Sequence, residues 1–303
     1  MHVHSDGHTH ALAPATRSRA FALGMALNVA FIAAEVIFGV RAHSLALLAD
    51  AGHNLSDVLG LGLAWGALLL GQRPPTERHT YGWRRASILA ALANAILLLV
   101  AVGGIAWEAL QRLGHPEPVA GGVVMAVAGL GVLINGATAL LFISGRKEDI
   151  NVRGAFLHMA ADAVVSLGVV AAGLAMARTG WLWLDPSVSL MIGAVIVWGT
   201  WSLLRESLRL AMDAVPQGVD LPEVEAYFQA LPGITAVHDL HIWAMSTTEI
   251  ALTAHLVKPD AEVDDALLQR IKRDLHERFR IEHTTIQLER EVGRCDQAPA
   301  SVI

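Results

Sequence analysis

The chain has 303 residues, of which 54 % are hydrophobic and 17 % charged, and its mean hydropathy is +0.47. This balance is typical of an integral membrane protein and not of a soluble domain. The net charge of −6 excludes the basic character that nucleic-acid binding needs, so we expect no nucleic-acid partner. The single cysteine, Cys295, excludes a disulfide framework and agrees with a reducing compartment. It is either an ordinary thiol or an accessory metal ligand.

Residues 1–16 form a polar tail that is too short and too hydrophilic to fold alone. The apolar run that follows is too long for the hydrophobic region of a signal peptide, so no cleavable signal is expected. The histidines of the tail collect metal near the cytoplasmic mouth of a membrane pathway, contribute to a metal site of the soluble domain, or stay on a disordered segment with weak metal affinity, and we expect disorder. They are His2, His4, His8 and His10.

Six apolar runs, each near or above the length that crosses a bilayer, fill the next part of the chain. We predict an all-α six-helix transmembrane bundle over residues 17–210. The predicted spans are 18–40, 45–71, 86–110, 120–144, 154–177 and 183–209.

Basic residues collect at alternate ends of these runs, which sets the orientation. The positive-inside rule places the richer side in the cytoplasm, so six spans put both termini there. We therefore expect a multi-pass protein of a bacterial-type inner (plasma) membrane. The richer side holds Arg17, Arg19, Arg73, Arg78, Arg84, Arg85, Arg146, Lys147, Arg153, Arg205 and Arg209, against Arg41, Arg112 and Arg178 on the other.

One short pattern occurs twice inside the apolar runs, as His53-x-x-x-Asp57 in the second span and His158-x-x-x-Asp162 in the fifth. A spacing of four puts both side chains on one helical face. A carboxylate in hydrocarbon costs roughly 3 kcal/mol on insertion scales, so each needs a partner. Two such helices side by side offer two imidazoles and two carboxylates. This tetrahedral set favours Zn(II), with Co(II), Cd(II) and Fe(II) close behind; the alternative is a set of polar contacts between helices.

Three further residues near these spans are candidates for an auxiliary role. Asp50 shares a helical face with His53 and is either an auxiliary carboxylate or proton carrier, or a cap at the outer end of the helix. In the proline-containing loop between spans two and three, only Glu77 and His79 are candidate ligands.

After residue 210 the pattern changes to that of a small folded domain, residues 211–292, followed by a tail, 293–303. Pro216 and Gly218 interrupt the helical pattern, and the elements that follow have the order αββαβ. This order is typical of a cytoplasmic α+β ferredoxin-like domain. The predicted elements are helix 221–231, strands 237–245 and 250–258, helix 264–279 and strand 284–291.

The predicted strands of this domain carry several histidines, which suggests a second metal site. His238 and His255 lie in the first two strands, and His283 and Glu289 bracket the last. His238 and His255 are alternatively ordinary polar strand residues. His241 is expected on the same strand face as His238, as a competing ligand or a supporting group.

Arg85 at the start of the third span and Asp213 at the end of the sixth are placed to pair near the membrane surface. Such a pair, partly removed from water, would tie the soluble domain to the transmembrane helices. The alternative is two separately solvated charges.

Together these motifs resemble the cation diffusion facilitator family over nearly the whole chain. A histidine at the first position of both membrane pairs is similar to the zinc-transporting branch. The resemblance implies a transport site and a cytoplasmic site. The motifs are Leu47–Asp57, Tyr81–Arg85, His158-x-x-x-Asp162, Val237–Trp243 and Thr285–Glu289; the implied ligands are His53, Asp57, His158 and Asp162, and His238, His255, His283 and Glu289.

The family resemblance also implies a homodimer that exports divalent metal in exchange for protons, with Zn²⁺ as substrate and regulatory ligand. Some relatives bind metal in the loop between spans two and three through one aspartate and two histidines. Here His79 matches one histidine and Trp83 replaces the other, so this site is expected to be absent or weak. With Cys295 alone, a cysteine-bridged additional metal is not expected.

The sequence therefore predicts a proton-coupled zinc exporter and not an enzyme. An imidazole must lose its proton to bind zinc, which couples the two ions, and no Walker motif for ATP is present in the sequence. The alternatives are an exporter of Cd, Co, Fe or Mn, an intramembrane metalloenzyme, and a metal sensor. Four protein ligands and the lack of an H-E-x-x-H motif disfavour the metalloenzyme.

Overall fold

The computed structural model describes residues 14–143, 150–259 and 265–291. The N-terminal histidines, Arg146, Lys147 and Cys295 lie outside the described residues. Six long helices precede a small α+β domain. They are α1 (Pro14–Ala42), α2 (Leu45–Gly71), α3 (Ala86–Gly114), α4 (Gly121–Phe142), α5 (Ile150–Thr179) and α6 (Leu184–Ala211); the domain comprises α7 (Leu221–Gln229), β1 (Ala236–Ala244), β2 (Ile250–Val257), α8 (Asp265–Phe279) and β3 (His283–Glu289).

Within the described residues, five helices are long and apolar enough to cross a membrane. The first helix, α1, runs over 29 residues where the sequence predicts the first span. The predicted helical membrane region followed by a small α+β domain is confirmed. The five spans are Leu45–Gly71, Ala86–Gly114, Gly121–Leu140, Phe156–Thr179 and Leu184–Ala211.

The chain forms two compact units, each described by itself. The first contains residues 1–59 and 97–199, and the second contains residues 60–96 and 200–303. Helices α2, α3 and α6 therefore each contribute one part to each unit.

In the first unit, glycines let α4 approach α5 and α1 closely. A Cβ atom on Gly121 would lie 2.8 Å from the carbonyl oxygen of Gly173, and one on Gly131 would lie 2.8 Å from Phe31 Cζ and 2.9 Å from Ser166 Oγ. Side chains at these positions would push the helices apart. Close packing of small residues is the usual basis of helix association in lipid, where the hydrophobic effect gives no preference for helix contacts.

The N-terminus of α2 is capped by a side chain from α6. Asp185 is fully buried, and its carboxylate accepts hydrogen bonds from Ser44 Oγ at 2.5 Å, Leu45 N at 2.7 Å and Ala46 N at 3.4 Å. The free amides of a helix N-terminus need such acceptors. The contact fixes the start of α2 against α6 and so helps set which face of α2 points inward.

The C-terminal domain has a three-stranded sheet in the order β1-β2-β3. Strand β1 runs antiparallel to β2, and β3 runs parallel to β2. Its core contains Phe228 of α7, Leu252 and Leu256 of β2, and Ile271 and Leu275 of α8. On α8 the buried residues recur every four positions from Leu267 to Phe279, the spacing of an amphipathic helix. The predicted αββαβ order is confirmed.

Candidate metal centres

Two helices of the first unit bring both His-x-x-x-Asp pairs to one point. The ligand atoms of His53 and Asp57 on α2 and of His158 and Asp162 on α5 all lie within 4.8 Å of one another. We call these four residues the membrane group. The contacts run crosswise between the helices: His53 Nε2 lies 3.4 Å from Asp162 Oδ1, and His158 Nε2 lies 3.1 Å from Asp57 Oδ2. The helical spacing supplied each pair, and helix packing joined them.

These distances suit a tetrahedral ion. Zinc ligands at about 2.0–2.2 Å from the metal are about 3.3–3.6 Å from each other. The three contacts between imidazole nitrogen and carboxylate oxygen in the membrane group are 3.1, 3.4 and 3.6 Å. Two carboxylates also balance the charge of one dication. Asp162 is buried, whereas the side chain of His158 is 43 % exposed, so the membrane group is more accessible at His158 than at Asp162.

Next to the membrane group lies a buried polar cluster that sequence reasoning found only in part. Asp50 does not cap α2, because Asp185 does; Asp50 instead accepts a hydrogen bond from Ser166 Oγ at 3.3 Å. Asn54 donates from Nδ2 to Glu35 Oε2 at 3.1 Å. Glu35 was detectable from the sequence, since it is the only acidic residue in the first apolar run.

In the second unit, three residues of the C-terminal sheet form another possible metal site, which we call the sheet group: His238, His255 and Glu289. His238 and His255 stand directly opposite each other on β1 and β2. The carboxylate of Glu289 reaches both, with Oε2 3.2 Å from His238 Nε2 and Oε1 3.1 Å from His255 Nδ1. The sheet register therefore places two nitrogens and one carboxylate together.

The sheet group fits a metal ion by its hydrogen bonding as well as its residue types. Both histidines are buried. Among the described residues, His238 Nε2 and Glu289 Oε2 are buried without a hydrogen-bond partner of acceptable geometry. A buried polar atom without a partner is costly, and a metal bound to both atoms would remove that cost.

His283 lies away from the sheet group, contrary to the sequence expectation. It pairs with Ala251 at the start of β3, whereas Glu289, six residues later, pairs with Val257. At about 3.3 Å per residue the strand separates the two side chains by roughly 20 Å. His283 instead packs edge-on against the ring of Tyr81, with centroids 5.5 Å apart.

His241 also stays outside the sheet group. His238 and His241 are three positions apart, so they would face opposite sides of a regular strand, but β1 has an irregularity between them. Their partners, His255 and Thr253, are two positions apart, so the irregularity restores the expected shared face. At its centre Asp239 has φ of +51°, and its carboxylate contacts His241 Nε2 at 2.9 Å and His255 Nε2 at 3.4 Å.

The loop between α2 and α3 brings no second ligand to His79. Its ring stacks on Trp83 with centroids 4.3 Å apart, and neither His79 nor Glu77 belongs to a cluster of ligands among the described residues.

Polar contacts join this loop to other parts of the second unit. Arg85 Nη2 contacts Asp213 Oδ1, with both side chains about half exposed. Arg84 Nη1 lies 3.0 Å from Glu249 Oε2, and Ser87 Oγ accepts a hydrogen bond from the Thr247 amide at 3.1 Å. The start of α3 is thus linked to the end of α6 and to the turn between β1 and β2.

Comparison with known proteins identifies two regions of the chain. Residues 22–211 match the cation efflux transmembrane domain, and residues 216–291 match the cation efflux protein cytoplasmic domain. A solved structure, the metal-bound C-terminal domain of the CzcD transporter from Cupriavidus metallidurans, is 43 % identical. The aligned region covers 23 % of the present chain and 99 % of the solved domain, and the TM-score is 0.22.

Three full-length relatives are similar throughout. The metal cation efflux system protein CzcD of Cupriavidus metallidurans is 38 % identical, over 97 % of this chain and 93 % of the relative. The zinc transporter ZitB of Escherichia coli is 37 % identical, over 95 % and 92 %. A cadmium, cobalt and zinc/H(+)-K(+) antiporter of Bacillus subtilis is 30 % identical, over 98 % and 94 %. The chain therefore belongs to the cation efflux, or cation diffusion facilitator, family of multi-pass membrane transporters of metal cations.

Proposed function

We propose that this protein is a homodimeric antiporter that exports Zn(II) from the cytoplasm in exchange for protons. The observation that carries the proposal is the crosswise membrane group, in which two imidazoles and two carboxylates meet between α2 and α5. The location of an inner membrane with both termini in the cytoplasm is part of the proposal. The orientation is supported by the distribution of basic residues. The choice of Zn(II) as substrate is supported by the zinc transporter names of relatives.

The membrane group couples the two ions because zinc and protons compete for the same atoms. His53 Nε2 lies 3.4 Å from a carboxylate oxygen of Asp162 on the other helix. His158 Nε2 lies 3.1 Å from Asp57 on the other helix and 3.6 Å from Asp162 on its own helix. Without metal, a protonated imidazole is held by that carboxylate. Zinc binds only a deprotonated imidazole, so loading releases protons and protonation discharges the metal. Alternating access of the membrane group to the two sides then exchanges one ion for the other.

The sheet group is proposed as a second zinc site with a regulatory or structural role. His238, His255 and Glu289 supply three ligand atoms. The buried atoms His238 Nε2 and Glu289 Oε2, which have no hydrogen-bond partner of acceptable geometry among the described residues, support this assignment. Three protein ligands leave the fourth tetrahedral position to water or another group. Because the sheet group lies outside the spans, zinc there is expected to modulate transport and not to be transported.

A second candidate substrate range is broader, covering Cd(II) and Co(II). Nitrogen and oxygen ligands in a tetrahedron also suit these ions, and the Bacillus subtilis relative is named for cadmium, cobalt and zinc. Measuring how strongly each of these ions inhibits zinc uptake would rank the ions by their affinity for the transporter. A metalloenzyme is disfavoured because the chain belongs to a transporter family. The four residues of the membrane group would also fill all four positions of a tetrahedral ion, and a catalytic metal needs one position open for water or substrate.

The test is zinc flux into liposomes that contain the purified protein, a zinc-sensitive dye and an imposed pH gradient. We expect uptake that follows the gradient and stops when an ionophore collapses it. Uptake indifferent to the gradient would contradict proton coupling. No flux of any divalent ion would overturn the transporter proposal and favour a sensor or enzyme.

A further inference from the structure

Two carboxyl groups beside the membrane group are buried against each other. Glu35 on α1 is 0 % exposed and Asp50 on α2 is 1 % exposed. Asn54, one helical turn after Asp50 on the same face of α2, donates a hydrogen bond to Glu35, which places Glu35 against the face of α2 that carries Asp50. Neither belongs to the membrane group, and the proposed binding of metal there does not use them.

The neighbours of this acid pair supply fewer donors than two carboxylates need. Asn54 donates to Glu35 Oε2 at 3.1 Å, and Ser166 donates to Asp50 Oδ2 at 3.3 Å. In the part of the chain that the structure describes, Glu35 Oε1 is buried with no donor, and neither acid forms a salt bridge. Where two carboxyl oxygens face each other without a donor, a proton between them completes the hydrogen bond.

The surroundings also favour one proton on the pair. Two adjacent carboxylates out of water repel each other and lose their hydration, so both do not ionise together. The titratable groups that face the pair are His53 on α2 and Asp162 on α5. The described side chains of α4, which packs against α1 and α5, include no titratable group.

The acid pair sits one helical turn from the membrane group on two helices. Asp50 precedes His53 by three residues, and Ser166 follows Asp162 by four. A dication arriving in the membrane group would favour the fully ionised acid pair through its electric field. We propose that Glu35 and Asp50 share one proton, and that metal binding at the membrane group expels it. The acid pair is then a second proton-binding site, additional to the metal ligands, and this inference rests on the proposed function.

The test counts the protons released when zinc binds to the full-length protein in detergent. Zinc is added to a weakly buffered sample with a pH indicator, and bound zinc is measured in the same titration. We expect Glu35→Gln and Asp50→Asn to bind as much zinc as the wild type but to release about one proton less per membrane group filled. The matched control is Glu108→Gln, which removes a carboxylate paired with Arg112 on α3 and should leave the count unchanged.

If the wild type and Glu35→Gln release equal numbers of protons at equal zinc binding, Glu35 and Asp50 do not share a proton that zinc expels. That result would leave the proposed function intact. No zinc binding by the wild type would overturn both. A release that depends on sodium or potassium and disappears in choline would assign the pair to a monovalent cation and also overturn it.

Infrared difference spectroscopy of the wild type keeps the proposal testable if a variant does not fold. Zinc should remove the carbonyl band of a protonated carboxylic acid, and that loss should be absent from whichever of the two variants folds. A wild-type spectrum without this loss would refute the shared proton.

Discussion

At the scale of single residues, the crosswise contacts make each aspartate of the membrane group serve two helices. Asp162 on α5 lies 3.4 Å from His53 on α2 as well as 3.6 Å from His158 on its own helix. Removing it takes away a ligand, half of the negative charge that balances a dication, and the partner of both histidines. The membrane group should therefore respond to single substitutions as one unit.

The first prediction is that Asp57→Ala or Asp162→Ala abolishes zinc transport while the protein stays folded. The expected loss is at least about a hundredfold, because a dication keeps only one anionic ligand. Liposome flux and size-exclusion chromatography measure it, with Glu108→Ala as the control for loss of a membrane-helix carboxylate. Near-normal flux in either aspartate variant would remove these residues from the transport path.

The second prediction concerns selectivity and follows from ligand type. His53→Asp replaces a borderline nitrogen ligand by an oxygen and adds a third carboxylate to the membrane group. We expect weaker zinc preference and greater uptake of harder ions such as Mn(II). The zinc-to-manganese uptake ratio measures this, and His115→Asp in the loop after α3 is the control. A ratio equal to that of the wild type would contradict the role of His53 as a ligand.

The third prediction tests the sheet group. His255→Ala removes one ligand and should lower the zinc affinity of the 211–303 domain by about tenfold or more, since even supporting groups around a metal contribute 10–100-fold. Calorimetry measures the affinity, and His276→Ala on the exposed face of α8 is the control. In the full chain His255→Ala should reduce transport without abolishing it. Unchanged zinc binding would exclude His255 as a ligand.

At the scale of elements, the membrane group depends on how closely α4 packs on α5, because α5 carries His158 and Asp162. Gly121 and Gly173 allow this approach: a Cβ at Gly121 would meet backbone, which cannot move away as a flexible side chain can. The neighbouring Gly122 has nothing within 4 Å of the same position. The two adjacent glycines thus give a matched comparison of crowded and open sites.

The fourth prediction is that Gly121→Ala destabilises the protein by about 1–3 kcal/mol, the usual cost of overpacking, and reduces transport by shifting α5. Gly122→Ala should be neutral or slightly stabilising, because alanine is the better helix former. Thermal unfolding in detergent measures both. If the two substitutions had equal effects, the close approach of α4 to α5 at Gly121 would not be needed for stability or transport.

At the scale of the whole molecule, the second unit joins parts of the chain that are far apart in sequence. Arg85 contacts Asp213, which is 128 residues away, and Arg84 contacts Glu249, which is 165 residues away. The sequence suggested that the Arg85–Asp213 contact is partly removed from water, but both side chains are about half exposed. A pair with this exposure contributes about 0–1 kcal/mol, so its value lies in position more than in strength.

The fifth prediction is that Arg85→Ala and Asp213→Asn each reduce transport modestly, and that the double variant is no worse than the more affected single one. Asparagine is chosen because Asp213 has φ of +57°, which asparagine tolerates and arginine or alanine does not. A double-mutant cycle on flux and stability measures the coupling. Additive defects would show that the two charges act independently. Arg84→Ala with Glu249→Ala gives the parallel cycle for the neighbouring pair.

The sequence by itself determined what depends on local pattern and residue chemistry. Long apolar runs must be helices in lipid, which located the spans. The four-residue spacing of His and Asp put each pair on one helical face, and alternation in the last 90 or so residues gave the αββαβ order. The candidate ligands of the membrane group follow from these patterns, because both pairs carry their chemistry within one helical turn.

Only the tertiary structure decided which distant residues meet. It placed Glu35 against Asp50, gave the cap of α2 to Asp185, and excluded His283 from the sheet group because the register of β3 places it near Ala251. It also showed that an irregular strand at Asp239 turns His241 to the face of His238. Periodicity describes one element at a time. These contacts depend on helix packing, strand register and a backbone irregularity, which arise only when elements pack together.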